Sequence, residues 1–130
     1  MSTFAPYSNE HTVLNGPEDA RPIALRIVRD QGLDGQLQGK VFVVTGATSS
    51  LGYETARAVH ATGADIFITG RNASRGEEVA KTIASDGRPG KVEFVNLELD
   101  SLKSVHAGAS EILQKTGGKI NVLICNAGNT

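Results

Sequence analysis

This chain lacks most of the features that would commit it to a large functional class. It contains one cysteine, Cys125, which excludes an internal disulfide framework and any cysteine-rich metal site. Cys125 reads either as a small apolar filler at the end of a strand or as a reactive thiol. No apolar run approaches the length needed to span a bilayer. The formal net charge is -1 over 130 residues, with both signs mixed along the chain, so no electrostatic case exists for nucleic acid or an anionic membrane. The N-terminus, MSTFAPYSNEHTVLNG, has no basic start followed by an apolar core, so it does not read as a secretory signal. The cytoplasm is therefore the expected location, and the glycosylation sequon Asn72-Ala73-Ser74 reads as chance. His11, His60 and His106 are scattered, with no Cys, Asp or Glu arrangement suggesting a metal site or a catalytic triad. All three are expected to be structural or solvated, and no metal site is expected.

What the chain does have is concentrated between Lys40 and Gly52, KVFVVTGATSSLG. Val41 to Val44 is a continuous β-branched and aromatic run, suited to a strand buried on both faces. Gly46 follows at once, then small residues up to Gly52. A helical pattern starts near Ser50 and runs to Thr62, with Gly63 as its stop. Strand, glycine turn and helix together bring backbone N–H groups and a helix N-terminus up to a phosphate. Bulky side chains would block that approach, so Gly46, Ala47, Ser49, Ser50 and Gly52 fit the purpose. An ordinary βα turn that favours small residues would show the same glycine spacing.

A chain of this length makes one small domain and buries roughly two-thirds of the surface its unfolded form exposes. Residues 1–16 are polar and aperiodic, the pattern of a mobile tail. Glu18 to Gln31 carries Ile23, Ile27 and Val28 at helical spacing, with Pro22 suited to the first turn and Gly32 to the end. This predicts a short amphipathic helix packed on the outside of the domain, with partner binding as the alternative. The glycines of 32–39 link it to the first strand. Ala64 to Thr69 reads as the second strand, followed by a helix from about Ser74, where Ser74 and Glu77 have capping-box spacing. Val92 to Leu97 is the third strand. Asp100 or Ser101 caps the next helix, whose apolar face is Leu102, Val105, Ala109, Ile112 and Leu113. Ile120 to Cys125 is the fourth strand. Helices between strands force parallel pairing and right-handed crossovers. The expected order is 3-2-1-4, with a cleft beyond the strand ends where the order reverses between the first and fourth strands.

Two motifs stand at that reversal. Gly46-x-x-x-Ser50-Leu51-Gly52 resembles the cofactor loop of the short-chain dehydrogenase/reductase family, Thr-Gly-x-x-x-Gly-x-Gly, with serine at the middle glycine. Asn126-Ala127-Gly128 resembles the family's Asn-Ala-Gly motif. The resemblance runs from about Gln38 onward and is strongest to the retinol-dehydrogenase and WW-domain-oxidoreductase-like branch, which is also common among fungal biosynthetic enzymes. It implies an α/β fold with a partial Rossmann-type doubly wound sheet of about four strands over 39–130, preceded by a tail and helix over 1–38. It also implies a nicotinamide cofactor and carbonyl/alcohol redox chemistry. On that resemblance Gly46 and Gly52 shape the phosphate loop, while Thr48, Ser49 and Leu51 supply backbone or hydroxyl contacts. Ser50 is expected to crowd the pyrophosphate or alter the loop's dihedrals. Arg71 follows the second strand, where an acid would favour NAD. Its fixed charge and planar fork suit a 2′-phosphate, with Asn72 and Arg75 adding a polar contact and a second cation, so NADP is expected over NAD. A solvated surface arginine is the alternative. Glu98 stands where the family has an adenine-contacting aspartate, though an acid near a helix N-terminus is favoured in any case. Asn126 resembles the asparagine beside the nicotinamide-side ribose, and Ala127 and Gly128 admit the cofactor.

The family's catalytic tyrosine and the lysine four residues beyond it have no counterpart here. The tyrosines are Tyr7 and Tyr53, followed four residues later by His11 and Arg57. No catalytic residue is therefore assigned. Three possibilities follow: a truncated dehydrogenase inactive alone, a non-catalytic NADP-binding or interaction module pairing with a longer relative through its open sheet edge, or an enzyme completed by a partner. The fourth strand is expected to be an exposed apolar edge open to homo- or hetero-oligomer formation.

Overall fold

The computed structural model describes residues 5–48 and 50–128. Four strands, β1 (Val41–Thr45), β2 (Asp65–Gly70), β3 (Val92–Asn96) and β4 (Val122–Ile124), form one parallel sheet in the order β3-β2-β1-β4. The connecting helices are α2 (Ser50–His60), α3 (Ala73–Ala84) and α4 (Leu102–Thr116), with α1 (Ala24–Asp30) ahead of the first strand. The expected fold class and strand order are both observed. Register places Val44 beside Ile68 and Ile124, and Ile68 beside Phe94. These residues share one face of the sheet because paired residues of parallel strands point the same way. Ala56 of α2 and Val79, Ala80 and Ile83 of α3 cover that face. The opposite face, Val41, Val43, Phe67 and Val95, is met by Ile112 of α4. Both faces of β1 and β2 are thus covered, which is why these strands are unbroken apolar runs rather than alternating ones.

The periphery departs from the sequence expectation. Helix α1 has seven residues, and Ile23 and Ile27 are exposed while Val28 is buried. Val28 packs on Ala58 of α2 and on Ala61 just beyond it, joined by Leu25 and Leu33. A helix this short has room for one packed turn, so the Ile23–Ile27 spacing does not define its buried side. The described part of the tail is also structured by side chains. A 3₁₀ turn at Asn9–His11 is followed by a loop drawn around Asp19, which accepts from the Asn15 and Arg21 amides, both 3.1 Å, and from Arg21 Nε at 2.8 Å. The hydrogen-bonded Arg21 guanidinium holds the Asp19 carboxyl at about 2, against an opposing contribution from burial. Tyr7 Oη donates to Asp30 at 3.2 Å, bringing this segment onto α1.

Among the helix caps, one differs from expectation. Asn72, not Ser74, caps α3, its side chain accepting from the Arg75 amide at 3.0 Å. Ser101 caps α4 and Gly117 ends it at φ +64°. On α4 only Gly108 and Ile112 are buried, and Leu102 and Leu113 of the expected face are exposed. His60 is fully buried, with Nδ1 2.7 Å from Asp86 and Nε2 2.7 Å from the Gly90 carbonyl. That histidine ties the end of α2 to the loop before β3. The linker after α1 is fastened beside it, Leu37 N donating to Thr62 O at 2.8 Å and Arg88 pairing with Asp34. At the sheet's rim, β4 has a single strand neighbour among the described residues, and its Val122 and Leu123 are exposed, as expected for an open edge. No helix among the described residues is long and apolar enough to cross a membrane.

Candidate functional site

A cleft of about 820 Å³ opens beyond the C-terminal ends of the strands, where β1 and β4 part. Its floor is the β1–α2 turn. Gly46 N and Ala47 N both reach the Thr69 carbonyl, at 3.1 and 3.4 Å, tying the turn to the end of β2. Gly46 has φ +66°, and a Cβ there would stand 2.8 Å from Ala127 Cα. Gly52, one turn into α2, is more confined. A Cβ would overlap the Gly46 carbonyl oxygen and lie 2.5 Å from Asn126 Nδ2 and 2.9 Å from Ala47 Cα. Both positions therefore require glycine for a steric reason visible in the packing.

Asn126 locks the two motifs together. Its Nδ2 donates to the carbonyls of Thr45 at 3.2 Å and Gly46 at 3.1 Å. The next amide, Ala127 N, donates to Thr45 Oγ1 at 3.1 Å. The two motifs thus share one hydrogen-bonded junction although they lie about 80 residues apart. Ser50 is the first residue of α2 and is exposed, with φ +52°. A left-handed backbone costs a non-glycine residue roughly 1–2 kcal/mol.

Thr48, Leu51, Arg71, Glu98 and Gly128 also line the cleft. Arg71 is exposed and has no ion-pair partner among the described residues. Glu98 is exposed, its amide accepted by Ser104 Oγ at 2.8 Å. Asn72 and Arg75 stand just outside the lining. The Asn72 side chain is engaged as the α3 cap, and Arg75 approaches Glu78 at 3.5 Å. Ser49 lies outside the described residues. Sequence reasoning passed over Thr45, Thr69 and Gly70, although the threonine of the Thr-Gly pair was a signal for the first. It also passed over Leu97 and Asp100 in the wall, whose types carry no motif. A second hollow of about 610 Å³ lies in the N-terminal segment between Asn9 and Ala20, remote from both motifs. No cluster of metal-ligating side chains occurs among the described residues.

The sequence profile of the short chain dehydrogenase family matches residues 40–130, the span that builds this cleft. The chain belongs to that family. Relatives include "Oxidoreductase calI" of Penicillium decumbens, 45% identical over 115 residues, covering 87% of this chain and 33% of the relative. The WW domain-containing oxidoreductase of Gallus gallus is 38% identical over 109 residues, covering 84% of this chain and 25% of the relative. Among solved structures, a metagenomic short-chain oxidoreductase in complex with NADP superposes with a TM-score of 0.66 at 32% identity, over 72% of this chain and 41% of that one. A short chain dehydrogenase from Mycobacterium smegmatis gives 0.67 at 35% identity, over 73% and 39%. The chain spans about a third of the length of the Penicillium relative.

Proposed function

We propose that these residues form the coenzyme-gripping part of an NADP(H)-dependent oxidoreductase of the short-chain dehydrogenase type, acting on a carbonyl/alcohol pair. The observation that carries this reading is the cradle at Gly46 and Gly52, which a Cβ at either position would fill. In that cradle the turn from Gly46 to Gly52 takes the pyrophosphate, with Thr48, Ser49, Ser50 and Leu51 around it. Arg71 faces the 2′-phosphate, and Asn72 and Arg75 shape and charge its surroundings. Glu98 stands at the adenine side, and Asn126, Ala127 and Gly128 stand at the nicotinamide side. A reduced nicotinamide supplies hydride. The resulting alkoxide needs a proton donor, and none of these 130 residues is assigned that role. Tyr7 bonds Asp30, and Tyr53 packs against the α2–α3 core; neither lines the cleft. The chain alone therefore binds nucleotide without turning over a ketone.

Titration followed by NADPH and NADH fluorescence tests the reading. Saturable binding with NADPH the tighter ligand supports it, whereas no binding or an NADH preference overturns it. Reduction of simple ketones by the purified chain would overturn the inactivity of the chain alone. The exposed Val122 and Leu123 on β4 favour a second reading, a non-catalytic nucleotide-binding module that pairs through this edge with a longer relative. A monomer by light scattering that binds neither nucleotide would remove that reading.

A further inference from the structure

We propose that Phe94 is a positioning residue for coenzyme selectivity, holding the Arg71–Arg75 segment through two glycines that flank it. This inference rests on the NADP reading above. Phe94 lies on β3, beside Ile68 of β2, and is buried in the α2–α3 face of the core. Its ring is packed close against Gly76 at one end of the segment that carries the cations and lies near Gly70 at the other, where Thr48 is the closer neighbour. A Cβ on Gly70 would stand 3.4 Å from Phe94 Cε2, and a Cβ on Gly76 would overlap the ring at Cδ2, Cε2 and Cζ. Gly70 ends β2 and Gly76 sits in the first turns of α3. The backbone leaves the ring at Gly70, passes Arg71, Asn72 and Arg75 on the exposed side, and returns to the ring at Gly76. Hydrogen bonds fix the same excursion. Leu97 N donates to the Gly70 carbonyl at 2.9 Å, Gly76 N to the Asn72 carbonyl at 2.9 Å, and Arg75 N to Asn72 Oδ1 at 3.0 Å.

A flexible cation needs its backbone held if it is to meet a phosphate at a set distance. Here the wedge is an aromatic plate that fills the space a side chain at Gly76 would need. Phe94 does not line the cleft, so its influence falls on where the Arg71 and Arg75 side chains begin. The β1–α2 turn is less dependent on it, since that turn is held by Thr69 and Asn126.

The test compares NADPH and NADH affinities of the 130-residue chain and of Phe94→Leu, with thermal melting of each. Phe94→Leu is expected to weaken NADPH binding about tenfold while NADH binding changes by less than about twofold. Gly76→Ala pushes α3 off the ring from the other side and is expected to narrow the NADPH-over-NADH ratio in the same direction. It also carries the test if Phe94→Leu does not melt cooperatively. Phe94→Tyr, which keeps the plate, should restore the ratio. A variant that loses both nucleotides equally, or neither, reduces Phe94 to ordinary core and overturns the proposal while leaving the NADP reading intact. A wild-type chain that does not distinguish the nucleotides overturns both.

Discussion

Two strand-to-helix turns lie side by side in this sheet, each framed by glycines six residues apart, and they are held by opposite means. The first, Gly46 to Gly52, closes on backbone: its glycines face the Gly46 carbonyl, Ala47 and Ala127, and the Asn126 amide bonds the Gly46 carbonyl and that of Thr45 just before it. The second, Gly70 to Gly76, closes on side chains, with the Phe94 ring against Gly76, Thr48 and Phe94 beside Gly70, and Asn72 capping the helix. A turn closed on its own backbone presents a low surface that a ligand's phosphates can approach. A turn braced from beneath by a side chain is free to carry long cationic side chains above. The strain also differs. Ser50 in the first turn sits at φ +52°, whereas no non-glycine residue with positive φ occurs from 70 to 76.

Substitutions at each turn sharpen or break this contrast. The largest effect is expected from Gly52→Ala. The added carbon meets the backbone Gly46 carbonyl and Ala47 Cα, which cannot rotate away, and displaces the Asn126 side-chain amide, so stability should fall by about 1–3 kcal/mol and nucleotide binding should be lost. A normal melting temperature with NADPH binding retained would show the first turn to be more pliable than its packing indicates. Arg71→Ala comes next. Losing a charge-assisted contact to phosphate is worth about 1.5–3 kcal/mol, so NADPH affinity should drop at least roughly tenfold with NADH affinity unchanged. Equal losses would place the arginine outside the 2′-phosphate site. Asn72→Ala removes the cap of α3 and should lower stability by about 1 kcal/mol in urea melts, and an unchanged midpoint would leave the Arg75 amide bond without weight. Ser50→Gly is the smallest. It relieves a left-handed penalty of roughly 1–2 kcal/mol, partly offset by about 0.5–1 kcal/mol of added chain entropy. The net is a slight gain in stability together with tighter NADPH binding. Unchanged affinity would mean that the serine does not crowd the phosphates.

The sheet was legible because its signal is local. Val41 to Val44 and Ile66 to Ile68 are runs that only a doubly covered strand accommodates, and the helices between them leave one sheet order. The glycine turn and Asn126 were legible because backbone approach restricts residue type. Side-chain partners across the fold were not. Ile23, Leu102 and Leu113 have helical spacing but stay exposed, since burial depends on which neighbour a helix meets. Ser74 and Asn72 both suit a cap, and spacing to Glu77 favoured the wrong one. The burial of His60 could not be read from its isolated position. Phe94 looked like any strand aromatic until Gly70 and Gly76 were found on its ring.

The junction made by Asn126 has a consequence for synthesis. The Gly46 turn is translated early, yet the Asn126 amide that bonds the Thr45 and Gly46 carbonyls lies just beyond β4, a strand added after three helices. Contacts so distant in sequence form slowly, so the emerging chain carries an unfinished turn until β4 docks, and under the proposed function nucleotide binding waits for that docking.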